Sequence, residues 1–342
     1  MMLKIENLDL NISKKHLLKN INLEIEKNDF FVLLGSTGSG KTLLIESIIG
    51  LHKYTGNIFY EGKSINNTKI EDKNFGVVFQ NFALFPHKSV RENILFSIKM
   101  RKLPDGESKL KYLAEKFEIT HLLDRNPKNL SGGEKQKVAI ARAIIGNSKL
   151  LLMDEPFAAI DTAFRNIMYN FIKKVHKEFD LTTILITHNF DEAVFLADKI
   201  AVINKGEILQ IGTPKNIFYQ PKNKYIAQFV NSDNIFEIVK RDSKYFLGKI
   251  DIPLGQEFIN KKYVVLHSEN IIISKEKIKS SARFSILGKI TAINQNLYHS
   301  IISIDAKNKF KVRITNQSLE KMNLKINGEI YLTFKESSLI FI

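Results

Sequence analysis

Gly35-Ser36-Thr37-Gly38-Ser39-Gly40-Lys41-Thr42 fits the pattern G-x-x-x-x-G-K-[ST], and its flanks decide how it is read. Before it, Phe30-Phe31-Val32-Leu33-Leu34 is a short, wholly apolar run, as expected of a parallel strand buried on both faces. After it, Leu44, Ile45, Ile48 and Ile49 recur at helical spacing. Strand, glycine loop and helix in that order bring successive backbone N–H groups and a helix N-terminus to one anion. Lys41 is then expected to reach the β- and γ-phosphates of a nucleotide, and Thr42 to ligate Mg²⁺.

Working outward, the chain's 342 residues exceed one typical domain, so two are expected, each with its own core. The absence of cysteine excludes disulfides, thiolate metal sites and a cysteine nucleophile. Met1-Met2-Leu3-Lys4-Ile5-Glu6-Asn7 lacks the apolar core of a signal peptide, and no apolar run approaches the roughly 18 residues needed to span a bilayer, so a cytoplasmic protein is expected. The net charge of +15 is spread along the chain without a long basic block, which argues against a nucleic-acid partner.

Toward the carboxyl end, Gly76-Val77-Val78-Phe79 reads as a strand ending at Gln80. Residues 81–149 read as helical. Ser89 with Glu92, and Ser131 with Glu134, have capping-box spacing ahead of apolar helical faces. Ser131-Gly132-Gly133 opening a helix makes a second anion site. Leu150-Leu151-Leu152-Met153 is a buried strand delivering Asp154-Glu155, an acid pair that is costly at a strand tip unless a cation or phosphate chemistry uses it. Phe164, Ile167, Met168, Phe171, Ile172 and Val175 form an apolar helical stripe expected to face the core. Thr183-Ile184-Leu185-Ile186 delivers Thr187-His188, a histidine that by itself reads equally as structural or catalytic. Beyond 232 the helical pattern stops, and β-branched runs with turn signals such as Asn327-Gly328 predict a small β-barrel.

The phosphate loop, Gln80, Leu130-Ser131-Gly132-Gly133-Glu134, Asp154-Glu155, Asp161 and His188 stand in the order and approximate spacing of the ABC-transporter ATPases, which residues 1–232 resemble. The resemblance implies an α/β P-loop fold with a helical subdomain at about 81–149, and ATP and Mg²⁺ as ligands. It implies a homodimer in which each ATP lies between Gly35 to Thr42 of one subunit and Ser131, Gly132 and Gly133 of the other. Carried over, Asp154 supports the Mg²⁺ shell, Gln80 senses metal and attacking water, Glu155 is the general base, His188 contacts the γ-phosphate, and Asp161 communicates across the dimer. Two positions depart from the pattern. Leu10-Asn11-Ile12-Ser13 offers no adenine-stacking aromatic, and Ala158-Ala159-Ile160-Asp161 lacks the usual serine.

Phe79-Gln80-Asn81-Phe82-Ala83-Leu84-Phe85-Pro86-His87 is similar to the stretch with which importer ATPases receive a permease's coupling helix. Its three phenylalanines suit a partner groove. Residues 233–342 resemble the OB-like (TOBE) barrel attached to molybdate and tungstate importer ATPases, which makes Ser281, Arg283, Ser318 and Lys335 candidate oxyanion contacts. Phe284 stands where that family has asparagine, and Leu266-His267-Ser268-Glu269 where I-R-P-E is typical. The resemblance thus implies the ATPase subunit of an oxyanion importer, peripheral on the cytoplasmic face of the membrane. An extracytoplasmic substrate-binding protein would join it indirectly. Sulfate, ferric iron or polyamine are the alternative cargoes, and a soluble ABC ATPase acting on nucleic acid or ribosomes is a remote one.

Overall fold

The computed structural model describes residues 1–241, 244–254, 261–278 and 284–342. The chain forms two compact units, Met1–Pro214 and Lys215–Ile342. This division falls ahead of residue 232, because two short helices, α7 and α8 below, are grouped with the second unit.

The first unit opens with antiparallel strands β1 (Leu3–Ile12) and β2 (Lys15–Ile25), followed by β3 (Phe30–Leu34) and helix α1 (Lys41–Ile49). Then come β4 (Thr55–Tyr60), β5 (Lys63–Ser64), β6 (Gly76–Val78), α2 (Val90–Met100), α3 (Gly106–Lys116) and α4 (Gly132–Ile144). It closes with β7 (Leu150–Asp154), α5 (Thr162–Glu178), β8 (Thr182–Thr187), α6 (Phe190–Leu196), β9 (Lys199–Asn204) and β10 (Glu207–Gly212).

These strands make a four-stranded sheet, β2-β1-β4-β5, and a six-stranded sheet, β10-β9-β3-β8-β7-β6. In the larger sheet β3 pairs in parallel with both β8 and β9, and β7 in parallel with β6 and β8. A strand hydrogen-bonded on both sides and covered on both faces has no solvent side, which is why all five residues of β3 are apolar and buried. Leu3, Ile5 and Leu8 of β1, Leu44 and Ile48 of α1, Leu33 of β3 and Ile184 of β8 share one core, so α1 is held by both sheets.

Register aligns the strand ends that matter. Leu34 lies opposite Thr187, Asp154 opposite Ile186, and Val78 opposite Met153. The loops leaving β3, β6, β7 and β8 therefore emerge together at the carboxyl edge, where open α/β sheets bind ligands.

The helices expected over 81–149 are α2, α3 and α4, and both expected capping boxes are formed. The stripe of α5 divides. Met168, Ile172 and Val175 are buried, whereas Phe164 and Ile167 are 58% and 60% exposed. Those two lie in the first two turns, before α5 reaches the core, so the expectation that the whole stripe faces inward is corrected.

The second unit contains all but the first residue of α7 (Pro214–Tyr219), then α8 (Lys224–Phe229), β11 (Asn234–Arg241), β12 (Lys244–Leu247), β13 (Ile250–Leu254), β14 (Tyr263–Leu266) and β15 (Ile272–Ser274). β16 (Phe284–Gln295), β17 (His299–Ala306), β18 (Asn308–Thr315), α9 (Asn316–Met322), β19 (Glu329–Phe334) and β20 (Leu339–Phe341) complete it. Two antiparallel five-stranded sheets, β13-β12-β11-β14-β20 and β15-β19-β16-β17-β18, enclose one core containing Phe236, Leu266, Ile302, Phe310 and Leu332. This matches the expected small β-barrel domain. One detail differs: α9 lies beyond 232, capped by the Thr315 hydroxyl, in a stretch too short for apolar periodicity to reveal a helix.

Candidate active site

The loop after β3 owes its path to glycine. Gly38 and Gly40 adopt φ of 78° and 106°, the left-handed region that other residues enter only with strain. Gly35 is needed for a different reason: a Cβ there would lie 2.7 Å from Ser39 Oγ and collide with the Ile203 carbonyl. Lys41, in the first turn of α1, is only 5% exposed, and its Nζ donates to the carbonyl oxygens of Gly35 and Ser36, both at 2.9 Å. Burial pulls the Lys41 pKa down, and the nearby carboxylates of Glu155 and Asp154 oppose that fall. Among the described residues the buried Ser39 Oγ of the same loop has no hydrogen-bond partner.

Asp154 ends β7 half-buried, and burial pushes its carboxyl above the usual range, while a hydrogen bond with the Thr42 side chain works against the rise. Glu155 follows in a left-handed conformation, φ 42°, with its N–H donating to the Ile186 carbonyl at 3.0 Å. That turn aims the carboxylate toward the end of β8, where Glu155 Oε1 meets His188 Nδ1 at 3.0 Å. Gln80 shares with Asp154, Asn81 and Ala158 a cleft of about 570 Å³. Thus Lys41, Thr42, Gln80, Asp154, Glu155 and His188, scattered along the sequence from 41 to 188, are gathered at one sheet edge.

Ser131, Gly132, Gly133 and Asp161 line a different cleft, of about 460 Å³, together with the exposed Phe164 and Ile167. Ser131 caps α4: its Oγ accepts from the Glu134 N–H at 3.3 Å, and Glu134 Oε2 accepts from the Ser131 N–H at 2.7 Å. The Ser131 N–H and the Ser131 hydroxyl, which also donates to Oε2 at 2.8 Å, hold the Glu134 carboxyl below the ordinary range. Gly132 is packed so close to the loop before Asp161 that a Cβ would stand 2.6 Å from the Ala159 carbonyl oxygen. The Ser131 cleft thus adjoins the Gln80 and Asp154 cleft at Ala159, which lines both, while Ser131, Gly132 and Gly133 line only the former.

Phe79 and Phe85 line a third cleft, of about 420 Å³, with Val77, Phe96, Arg101 and Arg142. Phe82 does not take part in an open surface; it is 5% exposed, which corrects the expectation of three groove phenylalanines. Sequence reasoning also missed Arg142. Its guanidinium donates to the carbonyls of Ala83 and Phe82 at 2.7 and 2.8 Å and lies over the Phe85 ring, fixing the segment that follows Gln80. Its signal was a cation within the apolar second half of α4, Val138 to Ile144.

Of the candidate oxyanion contacts, Ser281 and Arg283 lie outside the described residues. Ser318 Oγ lies 2.9 Å from Thr315 Oγ1 at the start of α9, and Lys335 is exposed after β19. Among the described residues no hydrogen bond or ion pair joins Ser318 to Lys335. Phe284 packs on Phe334 at 5.6 Å between centroids, as part of the core.

Such a fold, with a glycine phosphate loop, an acid pair and a histidine converging at the carboxyl edge of a parallel sheet, defines a P-loop nucleotide hydrolase. Residues 18–158 match the family described as ABC transporter. The molybdate/tungstate import ATP-binding protein WtpC of Pyrococcus horikoshii is 36% identical over 99% of both chains. The spermidine/putrescine import ATP-binding protein PotA of Borreliella afzelii is 38% identical over 91% of this chain and 89% of its own. The dimeric post-hydrolysis structure of the ATP-binding cassette MJ0796, bound to ADP and Pi, superposes with a TM-score of 0.56 at 25% identity, covering 62% of this chain and 99% of that one. The chain belongs to the ABC transporter family, as the ATP-hydrolysing subunit of an importer.

Proposed function

We propose that this subunit works as a homodimer whose two ATP sites are each completed across the interface, and that it drives uptake of molybdate or tungstate. The observation that carries the shared site is that Ser131, Gly132 and Gly133 line a cleft with Asp161 and not the cleft lined by Gln80 and Asp154. In this reading Gly35 to Thr42 cradle the phosphates, with Lys41 leaving the Gly35 and Ser36 carbonyls for the γ-phosphate. Glu155 takes the proton of the attacking water as its oxygen bonds to the γ-phosphorus and the bridging oxygen departs with ADP. His188 steadies Glu155 and contacts the γ-phosphate, while Ser131 and Gly133 of the second copy donate to the charge that develops there.

Thr42 in the first turn of α1 and Asp154 at the tip of β7 present hard oxygen ligands joined by a hydrogen bond, and Gln80 lines a cleft with Asp154, a set suited to Mg²⁺. The ion, when bound, neutralises phosphate charge. Asp161 lies beside the Ser131 loop, where it would report on the partner.

The cleft around Phe79 and Phe85 is the proposed seat of a membrane permease. Among the described residues no helix is long and apolar enough to cross a membrane, so attachment would be through that permease. The extracytoplasmic binding protein then acts indirectly. Similarity over 99% of the chain to a molybdate/tungstate import ATPase supports those anions, with sulfate, iron and polyamines as the alternative cargoes. Uptake by vesicles carrying the cognate permease tests this: tungstate accumulation dependent on ATP and on Glu155 is expected. Accumulation of spermidine or ferric ion with none of tungstate would replace the cargo.

A further inference from the structure

Behind Glu155 and His188 lies a buried polar contact that the reaction described above does not use. Glu192 of α6 is 4% exposed, yet both of its carboxylate oxygens are engaged. Oε2 accepts from the Thr187 hydroxyl at 2.5 Å, and Oε1 from the Tyr169 hydroxyl at 3.4 Å. Thr187 immediately precedes His188, and its Oγ1 in turn accepts from the Asn189 N–H at 2.9 Å, so the hydroxyl brackets the histidine on both sides. Tyr169 of α5 is 4% exposed, and its ring meets Phe157 edge to face, 4.7 Å between centroids at 85°. Phe157 is itself buried in the turn that begins at Glu155, where the Ala158 N–H donates to the Glu155 carbonyl at 3.1 Å.

We infer that Tyr169 and Glu192 are positioning residues that set Glu155 and His188 against each other, through Phe157 on one side and Thr187 on the other. A buried carboxylate is an expensive way to fill this space, and burial pushes the Glu192 carboxyl up and the Tyr169 hydroxyl up to about 12. An apolar side chain would pack there at less cost but would leave the Thr187 and Tyr169 hydroxyls without acceptors and the His188 turn free to shift. Because α5 begins just after Asp161, the pair also ties both residues to the helix next to the second anion loop.

The inference rests on the roles proposed for Glu155 and His188, and the test separates the two. Steady-state ATP hydrolysis by the full chain is measured for Glu192→Ala, Glu192→Gln and Glu155→Gln. Glu192→Ala is expected to lower kcat about tenfold with KM for ATP within about twofold, because misplacement costs rate without touching the phosphate loop. Glu192→Gln keeps an acceptor for Thr187 and is expected to recover to within about threefold of the parent. Thr187→Val and Thr187→Ser repeat the comparison should Glu192→Ala fail to fold, with loss expected in the first and rescue in the second. A folded Glu192→Ala with unchanged kcat, or a glutamine variant as impaired as the alanine, overturns the inference. Full turnover by Glu155→Gln removes instead the reading on which it rests.

Discussion

His188 Nδ1 stands 3.0 Å from Glu155 Oε1, joining the residues that follow two neighbouring parallel strands. The contact is a consequence of register: β7 and β8 end together, and the left-handed turn at Glu155 directs its carboxylate across the gap. His188→Ala leaves Glu155 without that partner, and kcat is expected to fall about a hundredfold with a much smaller change in KM. Steady-state ATPase measurements check this. Equal losses in kcat and kcat/KM place the interaction in the transition state, whereas an effect on KM alone would not agree with it.

Gly132 has no room for a methyl group beside the Ala159 carbonyl. Gly132→Ala is therefore expected to displace the Ser131 loop and abolish turnover, while a monomer still binds ATP through Gly35 to Thr42. Fluorescent-nucleotide titration of the variant checks the second half: affinity within about threefold of the parent is expected, since the phosphate loop is untouched.

Phe164 and Ile167 are apolar, exposed and placed beside Ser131 and Asp161. If that surface meets a second copy, Phe164→Ser weakens ATP-dependent association by about tenfold, near the loss of one buried aromatic contact. Sedimentation of the hydrolysis-deficient Glu155→Gln background, with and without the second change, reads it directly.

Much of this site was legible because its parts are local. Residues 35–42 read as a phosphate loop from their flanks, and the capping boxes at Ser89 and Ser131 were visible as spaced pairs. The rest was not, because it depends on partners distant in sequence. Nothing near Tyr169 or Glu192 announces their contact across 23 positions. Phe164 and Phe82 exchange the roles expected of them, one exposed and one buried: periodicity reports a helix's apolar side but not where its packing begins, and Phe82 sits in a turn outside any helix or strand. Asp161 and Ser131 needed the cleft to be seen together.

Glu192 also gives a pH signature. Its folded pKa is raised above the ordinary 4.5 by burial, so the cost of its charge is fully present above the folded pKa and disappears as pH falls below the unfolded value. Glu192→Gln is therefore expected to unfold at a higher urea concentration than the parent at pH 7 to 8, with the difference shrinking on acidification toward pH 4. A difference that grows on acidification would reverse the sign.

The barrel calls for a binding experiment. Calorimetry of the full chain with tungstate, molybdate and sulfate is expected to show tungstate or molybdate binding that Arg283→Ala weakens at least tenfold, the scale of one lost charge-assisted contact. Binding of none of them leaves the second unit without a regulatory anion role.

The most direct measurement of the shared ATP site mixes two inactive chains. Lys41→Ala removes the phosphate loop's cation, and Gly133→Asp puts a like charge where the partner's γ-phosphate would lie. Neither homodimer hydrolyses ATP, but a mixed dimer keeps one intact site, made of Lys41 from one chain and Gly133 from the other. Recovery of ATP hydrolysis on mixing, up to about a quarter of the parent rate for random pairing with independent sites, is the expected result. No recovery, under conditions where mixed dimers are shown to form, would contradict a site completed across the interface.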